Sequence, residues 1–240
     1  DQICSAIGHA HSEDTYHRDL KPANIMLTED NSPLVGDFGL ARAASDNNHE
    51  LYSSYYDGDY GQIEGTLPYM APELFVEEDQ RMPISPAGDI YALGVILYEM
   101  IVGELPINPD VEHLPDVEHL PEDQKAQLWI QLWKEAHRDM RPTFPSNLNV
   151  PEDVQAIILT AMAKQPSQRF QVVSEMIQQI NSADLDGTGS GDYTQRQIDK
   201  LTKSIDANRD VMMEDYYNRG IRYLDTRKYD LAIADFTSTI

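Results

Sequence analysis

Cysteine is nearly absent from this sequence. The one thiol, that of Cys4, has no partner in the chain, so no intrachain disulfide can form. Proteins with so little cysteine commonly work in a reducing compartment, and we therefore expect a cytoplasmic location. This expectation is compatible with a membrane anchor elsewhere in the protein.

Basic residues are scarce as well. Lys and Arg number 18 against 41 Asp and Glu, which gives a formal net charge of -23 at pH 7. Such a chain repels the phosphates of nucleic acids and of anionic bilayers, and it offers no basic patch that could release their counterions. The composition argues against nucleic-acid binding and favours neutral or cationic partners.

A long apolar run is also missing. A helix needs roughly 20 consecutive apolar residues to span a bilayer, and the longest candidate, residues 90–102, is interrupted by Gly94 and Glu99. We therefore expect no membrane segment within these 240 residues. Their number and mixed composition indicate a globular protein with a sizeable core.

The periodic segments predict a mainly helical protein. Apolar side chains recur at helical spacing in four segments, residues 2–12, 128–136, 154–163 and 172–180. Within the second segment Trp129 and Trp133 share one face, which we expect to pack into the core. Residues 90–100 are apolar on nearly every side, as is typical of a helix at the centre of a core.

Two less regular stretches complete this pattern. Short apolar segments at 24–27 and 33–35 flank the turn-forming run Thr-Glu-Asp-Asn-Ser and predict a small β-hairpin. Residues 44–65 hold five acidic residues and no Lys or Arg, so we expect an exposed loop. Residues 109–114 recur at once as 115–120, which we interpret as a surface insertion. The alternative, metal binding by His113 and His119, lacks further ligands.

Three motifs carry the chemistry. Residues 17–24 read His-Arg-Asp-Leu-Lys-Pro-Ala-Asn, residues 37–39 read Asp-Phe-Gly, and residues 71–73 read Ala-Pro-Glu. In this order they resemble the catalytic segment of protein kinases. The resemblance covers residues 1–182 and implies the helical C-lobe of a kinase, with a small β-hairpin at the catalytic loop.

The resemblance implies a role for each polar residue of these motifs. Asp19 would orient the substrate hydroxyl and accept its proton, and Lys21 would meet the transferred phosphoryl group. Asn24 and Asp37 would bind Mg²⁺ against the phosphates of ATP. Lys21, together with the sequence around Thr66, is typical of kinases that act on Ser and Thr of proteins rather than on Tyr.

Further residues match the framework of the family. Asp89 corresponds to the aspartate that opens the central helix and braces the catalytic loop. Arg169 corresponds to the arginine that pairs with the carboxylate of the Ala-Pro-Glu motif, here Glu73. For these three residues the resemblance implies a structural role.

Arg18, directly before Asp19, is typical of kinases whose activation loop is ordered by phosphorylation. The candidate acceptors are the hydroxyls of Ser45, Ser53, Ser54 and Thr66, followed by the less favoured Tyr52, Tyr55 and Tyr56. A rival hypothesis is that acidic residues of the loop order it without phosphate, through contacts with Arg18 and Arg42.

A glycine-rich loop, a strand lysine and its helix glutamate are also required for phosphoryl transfer by kinases. The 240 residues contain none of these. We therefore expect the isolated chain to bind MgATP poorly and to be inactive by itself. The alternative function is that of a pseudokinase-like scaffold which acts through protein binding.

Residues 183–193 are rich in Gly, Ser and Asp, which predicts a flexible linker. An alternative is a calcium loop, matched by Asp184, Asp186, Thr188, Gly189, Ser190 and Asp192. Two departures weaken it, since Gly191 stands where an apolar residue is expected and Gln195 cannot supply a bidentate carboxylate.

Residues 194–240 look helical, and 213–240 resemble part of a tetratricopeptide repeat. With Gly220 at the small position of the repeat, Tyr223, Ala232 and Phe236 fall where its pattern requires them. Repeats of this kind bind peptides or partner proteins on their concave face. An ordinary pair of amphipathic helices is the alternative.

Overall fold

The computed structural model describes residues 2–28, 30–38, 42–43, 66–75, 85–109 and 120–183. The predicted linker beyond residue 183, the predicted repeat and most of the acidic loop lie outside these residues, as do His113 and His119. Within them the fold is mostly helical with two small antiparallel sheets. The predicted mainly helical class is therefore confirmed for the described part of the chain.

The helices are α1 (Gln2–Ser12), α2 (Ala87–Val102), α3 (Glu122–Asp139), α4 (Glu152–Ala161) and α5 (Val173–Ser182). The strands are β1 (Thr15–Tyr16), β2 (Ile25–Leu27), β3 (Pro33–Val35) and β4 (Arg42–Ala43). Short 3-10 turns lie at Pro22–Asn24, Leu67–Tyr69, Pro72–Leu74 and Pro166–Gln168. Three of the predicted amphipathic segments coincide with α1, α4 and α5 to within two residues, and the segment at 128–136 lies inside the longer α3.

Strands β2 and β3 form the predicted hairpin, in which Met26 pairs with Leu34. Local hydrogen bonds define its turn, because the Ser32 amide donates to the hydroxyl of Thr28 at 3.0 Å and the Thr28 amide donates to the Ser32 carbonyl at 3.0 Å. Asn31 takes a left-handed φ of 61°, a conformation that asparagine tolerates better than most residues. Strand β1 pairs with β4, a contact that the sequence pattern did not predict.

Helix α2 lies at the centre of the structure, as its nearly uniform apolar sequence predicts. One side packs on a core that includes Tyr91, Val95 and Trp133. Another side packs on a second core with α1 and α5, to which Ile7 and Met176 belong. The helix ends at Gly103, whose φ of 82° closes the last turn through a hydrogen bond to the Glu99 carbonyl at 2.8 Å. Among the described residues, no helix is both long enough and apolar enough to cross a membrane.

Helices α2 and α4 approach each other closely at Gly94. A Cβ atom built on Gly94 would lie 2.8 Å from the Cβ of Ala161 and 2.9 Å from the Cγ of Met162. Real Cβ atoms do not approach this closely, and the first of these neighbours is a short side chain that cannot rotate away. The glycine therefore sets the distance between the two helices.

We expect Gly94→Ala to destabilise the chain by about 1–3 kcal/mol, because the packed helices must separate to admit one methyl group. Urea unfolding of the 240-residue chain measures the change. Gly88→Ala is the matched control, since among the described residues its new Cβ would meet only Leu74, at 3.6 Å, and alanine favours the helix by roughly 0.5–1 kcal/mol. Equal stability of the two variants would contradict the close approach.

Candidate active site

The carboxylate of Asp89, at the start of α2, holds residues 17 and 18 in place. Its Oδ2 accepts the amide of His17 at 2.8 Å, and its Oδ1 accepts the amide of Arg18 at 2.8 Å. The Nε2 of His11 in α1 donates to the same Oδ2 at 2.8 Å. Asp89 is only 2% exposed. These three donors therefore take the place of the hydrogen bonds to water that the carboxylate loses on burial.

Arg18 has a left-handed φ of 67°. A residue with a Cβ pays about 1–2 kcal/mol for this conformation, so the surroundings must impose it. The hydrogen bond from the Arg18 amide to Asp89 stabilises the left-handed conformation. The chain continues directly from Arg18 into the loop that carries Asp19.

Three donors converge on the carboxylate of Asp19. The hydroxyl of Thr66 donates to Oδ1 at 3.0 Å, Lys21 Nζ lies 3.1 Å from Oδ2, and Asn24 Nδ2 lies 3.3 Å from Oδ2. Lys21 Nζ also donates to the Thr66 hydroxyl at 2.8 Å, and Asn24 Nδ2 donates to the Asp19 carbonyl at 2.6 Å. Residues from two distant segments of the chain thus fix one carboxylate.

The segment before Asp37 is attached to the same loop. The Gly36 carbonyl accepts the Nε2–H of His17 at 2.9 Å, and the Gly36 amide donates to the Asn24 carbonyl at 2.8 Å. Asp37 itself takes a left-handed φ of 53°. The ring of Phe38 lies 4.6 Å from that of His17. These contacts bring the Asp-Phe-Gly motif beside Asn24, although the two are separated by the hairpin.

Tyr69 connects the segment after Thr66 to α2. Its hydroxyl donates to the Oε2 of Glu99 at 2.7 Å. Burial raises the pKa of Glu99, and the hydrogen bond from Tyr69 partly opposes that rise. Burial also raises the pKa of Tyr69, and the nearby negative charge of Glu99 adds to the effect. The pair anchors the segment that carries the Ala-Pro-Glu motif.

Arg169 and Glu73 form a bidentate ion pair, with Nη1 to Oε1 at 2.6 Å and Nη2 to Oε2 at 2.7 Å. The remaining donors of the guanidinium are used as well, since it also donates to the carbonyls of Ala87 and Ala163 at 2.8 Å and 2.7 Å. Its carbon atom lies 4.9 Å from the centre of the Tyr91 ring. The ion pair therefore joins the Ala-Pro-Glu motif to α2 and to the loop before α5.

A family profile described as "protein kinase domain" matches residues 1–181. The chain belongs to the protein kinase family. Among the relatives of this kinase-family chain, the probable serine/threonine-protein kinase PknB of Corynebacterium glutamicum is 33% identical over 174 residues, and the serine/threonine-protein kinase PrkC of Bacillus subtilis is 30% identical over 212 residues. The serine/threonine-protein kinase PknB of Mycobacterium tuberculosis is 31% identical over 173 residues. These relatives are bacterial serine/threonine kinases.

The kinase-family chain spans about a quarter of the length of these curated relatives. The aligned regions cover 72%, 88% and 72% of this chain, and 24%, 28% and 24% of the respective relatives. The matches therefore leave most of each relative uncompared.

Several residues of the site were missed by the sequence analysis. The motif reading did not assign a contact to His11, to His17 or to the Tyr69–Glu99 pair. The only available signal was the position of His17 inside the first motif.

Of the predicted phosphate acceptors, Ser45, Ser53 and Ser54 lie outside the described residues. Thr66 lies within them and is buried against Asp19 and Lys21.

We expect Arg169→Met to destabilise the kinase-family chain by about 3–5 kcal/mol, because it leaves the Glu73 carboxylate, 12% exposed, without its partner. Arg138→Met is the matched control. It breaks an Arg–Asp pair of similar geometry whose partners are 64% and 61% exposed, and solvent screening should leave the urea midpoint unchanged. Equal losses in the two variants would contradict the structural role of the buried pair.

We expect Tyr69→Phe to destabilise the chain in a pH-dependent way. Because the pKa of Glu99 is raised in the folded state, ionising this carboxyl costs stability as the pH rises above the ordinary glutamate value of about 4.3. Loss of the hydroxyl raises that pKa further. The stability difference from wild type should therefore be small near pH 4 and should grow toward pH 8, as measured by urea unfolding. In a Glu99→Gln background the difference should not vary with pH; if it does, another group is responsible.

Proposed function

We propose that the protein is a serine/threonine protein kinase, which transfers the γ-phosphate of ATP to a Ser or Thr hydroxyl of a protein. The observation that carries this proposal is the convergence of Lys21, Asn24 and Thr66 on the carboxylate of Asp19. Phosphoryl transfer needs a positioned hydroxyl and positive charge where negative charge develops, and this group of side chains provides both.

Each side chain has a defined part in the proposed reaction. The oxygen of the substrate hydroxyl attacks the γ-phosphorus while Asp19 accepts the proton of that hydroxyl. The bond between the γ-phosphorus and the β-phosphate oxygen breaks in line with the attack, and ADP leaves. Lys21, 3.1 Å from Asp19, offsets negative charge on the transferred group. Thr66 and Asn24 fix the direction of the Asp19 carboxylate. The buried position of Thr66 favours this positioning role over a role as phosphate acceptor.

Asn24 and Asp37 fit Mg²⁺. The amide nitrogen of Asn24 points to Asp19, which leaves its oxygen as the atom for a cation. Among the described residues, no three His, Cys, Asp or Glu side chains cluster as a complete metal site. Mg²⁺ commonly uses one or two protein oxygens together with phosphates and water, so a pair of ligands suits it. An ion held by these two residues would offset the negative charge of the phosphates.

The apolar side chains of Met26 and Leu34 suggest where the nucleotide base rests. They pair across the hairpin that links Asn24 to Asp37, and they are 49% and 52% exposed. We propose that this surface supports the base of ATP while its phosphates lie toward the two proposed Mg²⁺ ligands. The glycine-rich loop and the strand lysine that would cover the other side of the nucleotide are not contained in these 240 residues. We propose that the isolated chain is inactive for this reason.

Regulation and partners form the remaining part of the proposal. We propose that phosphorylation of Ser53 or Ser54 orders the acidic loop toward Arg18, and that residues 213–240 bind protein partners as part of a tetratricopeptide repeat. A cytoplasmic location fits the single cysteine, whose thiol is buried with a raised pKa. The scaffold function remains the second candidate, favoured by the same predicted repeat.

We expect Asp19→Asn to lower phosphorylation of a Ser/Thr peptide by the full-length protein about 10²–10⁴-fold, since the amide cannot accept the proton. Binding of MgATP should be retained. Asp14→Asn is the matched control, because Asp14 is an exposed turn residue whose left-handed φ of 52° asparagine tolerates. Phosphorylation that survives in the Asp19 variant would refute the assignment, and a wild-type protein that binds partners without phosphorylating them would favour the scaffold.

A further inference from the structure

His137 is a buried residue in the last turn of α3 that none of the motifs includes. It has no exposed surface. Its Nε2 lies 2.9 Å from the carbonyl oxygen of Leu67, and its Nδ1 lies 2.7 Å from the hydroxyl of Tyr91 in α2. Leu67 directly follows Thr66, whose hydroxyl contacts Asp19. The imidazole thus joins α2 and α3 to the segment that reaches the candidate active site.

The two hydrogen bonds define one tautomer. A carbonyl oxygen can only accept, so the proton of the imidazole lies on Nε2 and points to Leu67. Nδ1 is then the acceptor for the Tyr91 hydroxyl. Both ring nitrogens are used, and the other tautomer would present a lone pair to the Leu67 carbonyl oxygen and lose this bond.

Aromatic side chains fix the orientation of the ring. The rings of Phe75 and Trp133 lie 5.5 Å from it at interplanar angles of 27° and 31°, and the Tyr91 ring lies 5.6 Å away at 63°. Burial lowers the pKa of His137 to about 4, and the positive charge of Lys164 acts in the same direction. The ring is therefore neutral near pH 7, with a single proton to donate.

The Leu67 carbonyl accepts a second, longer hydrogen bond from the amide of Met70, at 3.3 Å. The 3-10 turn at Leu67–Tyr69 has no side-chain cap. The hydrogen bond from Tyr69 to Glu99 holds its end, and the short hydrogen bond from the buried imidazole of His137 holds its first carbonyl, one residue after Thr66.

We propose that His137 is a positioning residue for phosphoryl transfer, which holds the Leu67 carbonyl and thereby keeps Thr66 in contact with Asp19. This inference rests on the proposed kinase function. His137 itself touches no reacting atom. Its effect reaches Asp19 through the backbone of Leu67 and the hydroxyl of the preceding residue, Thr66. The same turn belongs to the stretch around Thr66 that is typical of kinases acting on Ser and Thr.

The first test does not depend on activity. In the 240-residue chain, ¹⁵N NMR at pH 7 should show His137 protonated at Nε2, and a proton on Nδ1 would overturn the proposal. His137→Phe should speed hydrogen exchange of the Met70 amide at least about tenfold, while His137→Gln, which keeps a donor, should stay near wild type. The Gly103 amide, at the far end of α2, is the internal reference. Equal acceleration at Gly103 and Met70 would mean general loss of stability and would contradict a local positioning role.

The second test uses phosphorylation of a Ser/Thr peptide by the full-length protein. His137→Phe should raise the KM for peptide about tenfold and lower kcat, with the KM for ATP unchanged, and His137→Gln should restore most of both. A lower kcat with both KM values unchanged and no rescue by Gln would reduce His137 to a structural residue. If the wild-type protein transfers no phosphate, the kinase proposal fails, and the tautomer and exchange results still decide whether His137 holds Leu67.

Discussion

The rest of this structure depends on one buried carboxylate. Asp89 accepts two backbone amides from the loop that carries Asp19 and one imidazole proton from α1. A loop that contains a left-handed arginine cannot keep its shape by local interactions alone, since that conformation is unfavourable for a residue with a Cβ. The carboxylate is rigid because it starts a helix that is buried on nearly all sides. Two hydrogen bonds thus connect a polar loop to a rigid apolar core, and the third joins the same carboxylate to α1.

Helix α2 repeats this arrangement along its length. Its first turn holds the loop that carries Asp19 through Asp89, its second presents Tyr91 to His137, and its last turn accepts Tyr69 through Glu99. Each of these polar residues projects from an otherwise apolar helix to a neighbouring backbone segment or side chain. Buried polar groups of this kind are costly unless all of them are satisfied. Their pairing therefore favours a single arrangement of the segments that they join.

Much of this architecture could be predicted from the sequence, because its signals are local. The five helices and the hairpin follow from apolar spacing, and the motif strings predict Asp19, Asn24 and Asp37 as site residues, which stays a prediction. The partners of His11, Tyr69 and His137 could not be found in this way. Each of these contacts joins residues at least 30 positions apart, and a single polar side chain in an apolar segment gives no period to read. The pairing of β1 with β4 was missed for a related reason, since two-residue strands are too short to show alternation.

The close approach of two helices at Gly94 restricts which residues can stand at positions 94 and 161, which are far apart in the sequence. The space between the two helices at this point holds one methyl group, that of Ala161, and has no room for a second on residue 94. A methyl group on residue 94 needs the space of the Ala161 methyl and also meets the Met162 side chain, so glycine at 161 would remove only one of the two clashes. A substitution of Gly94 should therefore be accepted during evolution together with changes at its neighbours rather than singly. Related sequences should show correlated substitutions at these positions.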